Sequence, residues 1–194
     1  MNFEIQNLQQ VVPVESDFWI RAFEFGAREL EIECFAFKIV CAFIPLLTPK
    51  MQPFTIGSTK ICEDGVLIAV SSAVKASPFS FSLGREDASG GGQMVHTFFH
   101  ELTHAKQLLK RELIVKRRTR MWMGRKWDNK RDYSFAPWEV EAEQKSEQLY
   151  QGFLRREVLR AMREEANGYA VVSKLHHVFP PEAVFQVTSS EQAA

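Results

Sequence analysis

Apolar residues recur along the chain with two different periods, and the change of period marks out most of its elements. Val95, Phe98, Phe99, Leu102, Ala105, Leu108 and Leu109 return every three or four positions, which predicts one amphipathic helix over QMVHTFFHELTHAKQLLKRE. A shorter, less regular stripe of Phe18, Ile20, Phe23 and Phe25 predicts a helix within SDFWIRAFEFGA, with Ser16 or Asp17 as its cap. From Glu29 to Cys34 charged and apolar residues alternate, which reads as strand. The alternation runs into an apolar stretch, Phe35–Leu47, read as a buried strand or core helix. It contains Lys38 and falls short of the about 20 apolar residues that a membrane span needs. FTIGSTKI and VLIAVSSAV flank Glu63-Asp64-Gly65, and Asp-Gly between β-rich runs predicts a hairpin. Residues 78–92 read as loop, ending in three glycines. ELIVKRRTRMWMGRKWD predicts a basic β-hairpin turning at Met123-Gly124. Pro137 then suits the first position of a long helix reaching about Glu165, with Asn167-Gly168 as its stop.

Composition narrows the class without naming it. The chain has 194 residues, 45% hydrophobic and 25% charged, as expected of a single soluble domain with a real core. Three cysteines, Cys34, Cys41 and Cys62, form no CxxC pair. Their odd number argues against a disulfide framework or a zinc ribbon, and they read as core residues of a reducing, cytoplasmic protein. The opening MNFEIQNLQQ lacks a basic segment followed by an apolar one, so neither a secretory leader nor a membrane association is expected. Formal net charge is zero, but from Lys106 to Arg131 there are 11 basic residues against only Glu112 and Asp128.

The chemistry concentrates in HTFFHELTHAKQ. On a helix, His100 and His104 project from one face and can place two imidazole nitrogens on one ion. Glu101 leans to the same side, placed to act as a base on a metal-activated water. This is the HExxH arrangement of zinc metallopeptidases. A catalytic zinc takes a third protein ligand and keeps one position open. Gln107 and Lys110 stand where HExxHxxGxxH would need Gly and His, and no histidine follows His104 before His176. The acidic candidates are Asp128, Asp132, Glu139, Glu141 and Glu143. Of these, Glu139 and Glu143 share one helical face, with Glu141 rotated by about 200°. Glu139 in the first turn could ligate the metal while Glu143 accepts the outer N–H of a ligand histidine. Glutamates there could equally do no more than suit the helix dipole.

HELTH followed by Glu139-Val140-Glu141-Ala142-Glu143 resembles the gluzincin pattern, HExxH on one helix and a glutamate ligand on the next. Trp122-Met123-Gly124 and Tyr133-xxx-Pro137-Trp138-Glu139 resemble small metallopeptidases of bacteria and phages. The same region is similar to the minimal zincin cores of SprT-like and ImmA/IrrE-like proteins. The likeness covers about residues 53–150. SprT-like proteins proper use a third histidine ligand, and many add a zinc ribbon, and neither pattern is visible here. The resemblance implies an α+β, minimal zincin-like fold. In it a small antiparallel sheet packs on the HExxH helix, and a second long helix carries the third ligand. It further implies one metallopeptidase-like domain over 1–194, with its core at about 53–165 and extensions at 1–50 and 168–194. It assigns His100, His104 and Glu139 to Zn2+ and Glu101 to the general base, acting on a protein or peptide substrate.

Four further features have plain alternatives. His96 could face the cleft or be a satisfied helix histidine. Tyr133 could donate to an oxyanion or merely pack. His176 and His177 would be spare ligands only without Glu139. The basic stretch 106–131, with Trp122 and Trp127, could carry nucleic-acid or partner binding on a zincin-like fold, steer an acidic substrate, or be a solvated face.

Overall fold

In this computed structural model the described residues are 2–6, 16–36, 38–44, 57–63, 65–71, 90–116, 119–128 and 133–164. Asp132, His176, His177, the helix stop at Asn167-Gly168 and the loop read over residues 78–89 lie outside them. The elements run β1 (Asn2–Gln6), α1 (Ser16–Glu29), β2 (Lys38–Ile44), β3 (Gly57–Cys62), β4 (Gly65–Ser71) and α2 (Gly90–Leu109). There follow β5 (Leu113–Lys116), β6 (Thr119–Trp122), β7 (Arg125–Lys126), a 3-10 turn (Tyr133–Phe135) and α3 (Pro137–Glu164). The architecture is α+β, with two sheets of four and three strands.

The four-stranded sheet has the order β1-β2-β4-β3 and is mixed, not antiparallel as the sequence reading expected. β1, β2 and β4 run parallel, and only β3 opposes its neighbour β4. Connectivity explains the difference. α1 lies between β1 and β2, and a helix in the crossover returns the chain to start the next strand in the same direction. β3 runs back between β2 and β4, so those two are parallel as well. The hairpin expected around Glu63–Gly65 is the β3–β4 pair.

The apolar stretch holds β2, a central strand. The alternating segment before it is not a strand. Arg28 O accepts from Glu31 N and Ala27 O from Ile32 N, both at 2.9 Å, and Glu31 has φ 54°. This is a Schellman closure of α1, and fully buried Ile32 makes its apolar contact. The Leu30–Ile32 alternation therefore served a helix end. Within α1 the buried stripe is Phe18, Trp19, Ala22, Phe23 and Ala27, whereas Ile20 is 41% exposed.

Alternation along the strands puts Ile39, Cys41, Val66, Ile68 and Val70 on one buried face. They join α1, α2 and the second half of α3 in one core with Phe98, Phe99 and Phe153. Of the cysteines only Cys41 belongs to it. Cys34 and Cys62 are exposed, against the expectation of three core thiols.

The basic segment forms a three-stranded antiparallel meander, β5-β6-β7, where one hairpin was expected. The turn at Met123-Gly124 is present. Both residues have positive φ, 47° and 77°, as a two-residue type I′ connection requires, and glycine meets that without strain. The meander packs on the start of α3 through a small second core of Leu113, Ala136 and Trp138, with Trp122 and Trp127 against it. α2 begins at Gly90, so the glycines read as loop are its first turn.

Candidate metal centre

α2 and α3 lie side by side, and each contributes one face to the same point. His100 and His104 are a turn apart on α2, with their Nε2 atoms 3.1 Å from each other. Pro137 opens α3, so Glu139 falls in its first turn. Glu139 Oε2 lies 3.5 Å from His100 Nε2 and 3.4 Å from His104 Nε2. Three donors on a tetrahedral zinc, each about 2.0–2.1 Å away, stand about 3.3 Å from one another. The triangle has those dimensions, and its two imidazoles and one carboxylate suit that ion. Among the described residues, this is the group of histidine, cysteine and acidic side chains that could hold a metal.

The outer ring nitrogens are also engaged. His100 Nδ1 faces Glu143 Oε2 at 3.5 Å, so Glu143 stands where the sequence placed it. His104 Nδ1 is 2.8 Å from Gln107 Oε1. Gln107 Nε2 in turn donates to Trp138 O at 2.8 Å and to Glu141 Oε2 at 2.9 Å. Glu141 therefore does not point away from the site, as its rotation from Glu139 suggested. α3 lies against α2 closely enough for Glu139 to reach the histidines while Glu141 reaches Gln107 and Lys106.

The charges respond to this crowding. Burial alone would lower the His100 imidazolium, but Glu139 and Glu143 outweigh it and push it up to about 10. Burial would raise the Glu139 carboxyl, yet His100 and His104 hold it far below the usual carboxylate range. For Glu101 burial prevails over the attraction of His104 and His100, and its pKa is raised.

Glu101 is only 6% exposed, between α2 and the edge strand β3. Thr59 Oγ1 donates to its Oε2 at 2.6 Å and lies 2.9 Å from its backbone oxygen. Gly57 allows the strand this close. A Cβ there would stand 2.7 Å from Glu101 Cγ and 2.8 Å from Cδ, inside contact distance. Beneath, burial and the charge of Glu101 push the Cys41 thiol far up, so it stays neutral.

Tyr133 is half exposed in the turn before α3, and burial together with the Glu139 carboxylate pushes its phenol up to about 12. Its ring also packs edge-on against Trp138 at 5.9 Å and under the Arg120 guanidinium at 5.1 Å. Tyr133 therefore packs as the plain reading expected, in a position beside Glu139. His96 does not join the ligands. Its Nε2 is 2.9 Å from Ser146 Oγ, with Glu147 and Glu143 at 3.8 and 3.9 Å, the satisfied helix histidine of the plain reading.

Part of the basic stretch is neutralised internally. Lys106 bridges Glu112 and Glu141 at 2.6 and 2.9 Å, and Lys110 pairs with Glu31 at 3.4 Å. Arg111, Lys116, Arg125 and Lys126 are exposed. Asp128, also exposed, is not among the grouped donors.

Sequence reasoning missed Thr59 and Gln107. Neither belongs to a motif, and each matters only through a partner brought to it by the fold. No protein-family model, curated protein or solved structure matches the chain. No helix among the described residues is long and apolar enough to cross a membrane.

Proposed function

We propose that the chain is a zinc-dependent metallopeptidase of the gluzincin type, with a zincin-like core, cleaving a protein or peptide substrate in the cytoplasm. The observation that carries the reading is the triangle of His100 Nε2, His104 Nε2 and Glu139 Oε2, 3.1, 3.4 and 3.5 Å on its sides, with the carboxylate of Glu101 beside it. The three residues would hold the zinc, which when bound acts as a Lewis acid on the scissile carbonyl and acidifies a water.

The chain's own groups supply the rest. Thr59 holds the carboxylate of Glu101 by Oε2, and that carboxylate would take a proton from the attacking water and later return it to the leaving amine. Glu143 and Gln107 hold the two imidazoles in orientation from behind. Tyr133, beside Glu139, can donate its phenolic proton to the oxygen that develops charge. A structural zinc site supports the geometry less well, because such sites are closed by four protein ligands and would leave Glu101 without a task.

Glu101→Gln tests the assignment. Glutamine preserves shape, so the variant should keep one zinc per chain and lose hydrolysis of an unstructured protein substrate. Full activity in that variant would remove Glu101 from the base role. Elemental analysis finding no zinc in either the purified or the zinc-reconstituted protein would end the metallopeptidase reading.

A further inference from the structure

We propose that Gln107 is a positioning residue of this centre, one that fixes the proton of His104 on Nδ1 so that the Nε2 lone pair faces His100 and Glu139. Its consequence for zinc rests on the reading above, whereas the proton assignment stands on hydrogen bonds alone.

A carboxamide has a donor end and an acceptor end, so its partners decide which way it faces. Around Gln107, two of the three partners can only accept. Trp138 O is a backbone carbonyl at 2.8 Å and Glu141 Oε2 a carboxylate oxygen at 2.9 Å. The –NH2 group must face both. A flipped amide would press its oxygen on two others. Oε1 is thereby committed to His104 Nδ1 at 2.8 Å, and having only lone pairs to offer, it requires the histidine to supply the proton. A neutral imidazole protonated at Nδ1 carries its lone pair on Nε2, the atom 3.1 Å from His100 Nε2 and 3.4 Å from Glu139 Oε2. Free imidazole side chains in water favour the proton on Nε2, so the fold selects the less common tautomer, and it is the one able to ligate.

The amide is well held for this task. Gln107 is fully buried, so water does not compete for its ends. Glu141, which anchors the –NH2 group, is itself held by Lys106, and Lys106 by Glu112 at the foot of the meander. An unbroken chain of contacts therefore runs from the meander to the outer nitrogen of His104. The two histidines are also supported differently, His100 by the carboxylate of Glu143 and His104 by a neutral amide.

Two variants separate orientation from packing. Gln107→Met keeps length and burial but removes the acceptor. The exchange Gln107→Glu with Glu141→Gln restores an acceptor toward His104 and a donor from position 141, and leaves only Trp138 O without its donor. Long-range 1H–15N correlation spectra of the metal-free proteins, at a pH where the same spectra show His100 to be neutral, read the His104 tautomer. Chelator competition reads zinc affinity. In the wild type the His104 proton should sit on Nδ1. In Gln107→Met it should move to Nε2 and zinc binding should weaken by about 10- to 100-fold. The exchange should return the Nδ1 proton and part of the affinity. A His104 proton on Nε2 in the wild type, or one still on Nδ1 in Gln107→Met, would overturn the proposal, as would equal zinc affinity in the two. If the wild type binds no zinc, the metal reading fails by itself, and the tautomer still decides the role of Gln107.

Discussion

Along its C-terminal half α3 packs on α1, where Arg21 forks onto Glu157 through two nitrogens at 3.1 and 2.9 Å and Arg160 adds a third contact at 3.2 Å. Along its N-terminal half the same helix packs on α2, where His100, His104, Glu139, Gln107 and Glu141 meet. Both seams bury charged or polar groups, and both satisfy most of them. The difference lies in what is left over. At the α1 seam the buried Glu157 carboxylate, 1% exposed, is neutralised by guanidinium groups that have no lone pairs to offer. One turn earlier on α3, Phe153 makes aromatic contacts with Phe18, Phe25 and Phe99. At the α2 seam the outer nitrogens are tied back, and two imidazole nitrogens and a carboxylate oxygen still converge on one point. A seam built for cohesion closes its polar groups on each other. A seam that could hold a cation brings ligand atoms together instead.

The largest effect that could break this contrast is loss of a ligand. Glu139→Ala, His100→Ala or His104→Ala should each weaken zinc binding by more than about 100-fold, beyond what removing an orienting partner costs. Zinc retention within a factor of a few, measured by chelator competition, would show that the convergence has no such purpose. At the other seam, Phe153→Ala should lower stability by about 3–5 kcal/mol in denaturant unfolding, because it opens a cavity among three other aromatic rings. The folded fraction should bind zinc as the wild type does, and a parallel loss of affinity would mean that the seams are coupled. The smallest effect is expected for Glu157→Gln, about 2 kcal/mol. It lies below the cost of breaking a wholly buried pair, because Arg21 is 26% exposed and can turn to solvent. Unchanged unfolding in that variant would make the ion pair ornamental to the α1 seam.

Much of this was legible in the residues because it depends on short-range periodicity. His100, Glu101 and His104 share a helix, and four-residue spacing alone puts the two histidines on one face. Pro137 suits the start of α3 and hence the register that puts Glu139 and Glu143 on one face, with Glu141 rotated from them. The meander turn at Met123-Gly124 is likewise local, a matter of which residues tolerate positive φ. Where the local pattern had two meanings, it misled. Leu30 and Ile32 alternate like a strand but close a helix, since one buried residue after a left-handed turn satisfies both patterns.

What only the tertiary structure decided is everything that needs two segments to be adjacent. The parallel order of β1, β2 and β4 follows from where α1 and β3 fall between them, and the burial pattern of a strand does not encode its direction. Glu139, one of five acidic candidates in the sequence, is set apart by lying 3.4 and 3.5 Å from two histidine nitrogens more than thirty positions earlier. Thr59 reaches Glu101 across 42 positions and Gln107 reaches Glu141 across 34, and neither residue type announces such a partner. Glu141 shows the limit most plainly. Helical geometry rotates it away from Glu139, and the close packing of α2 on α3 brings it back into the same network. Periodicity fixes the face of a side chain on its own helix, and only packing fixes what that face meets.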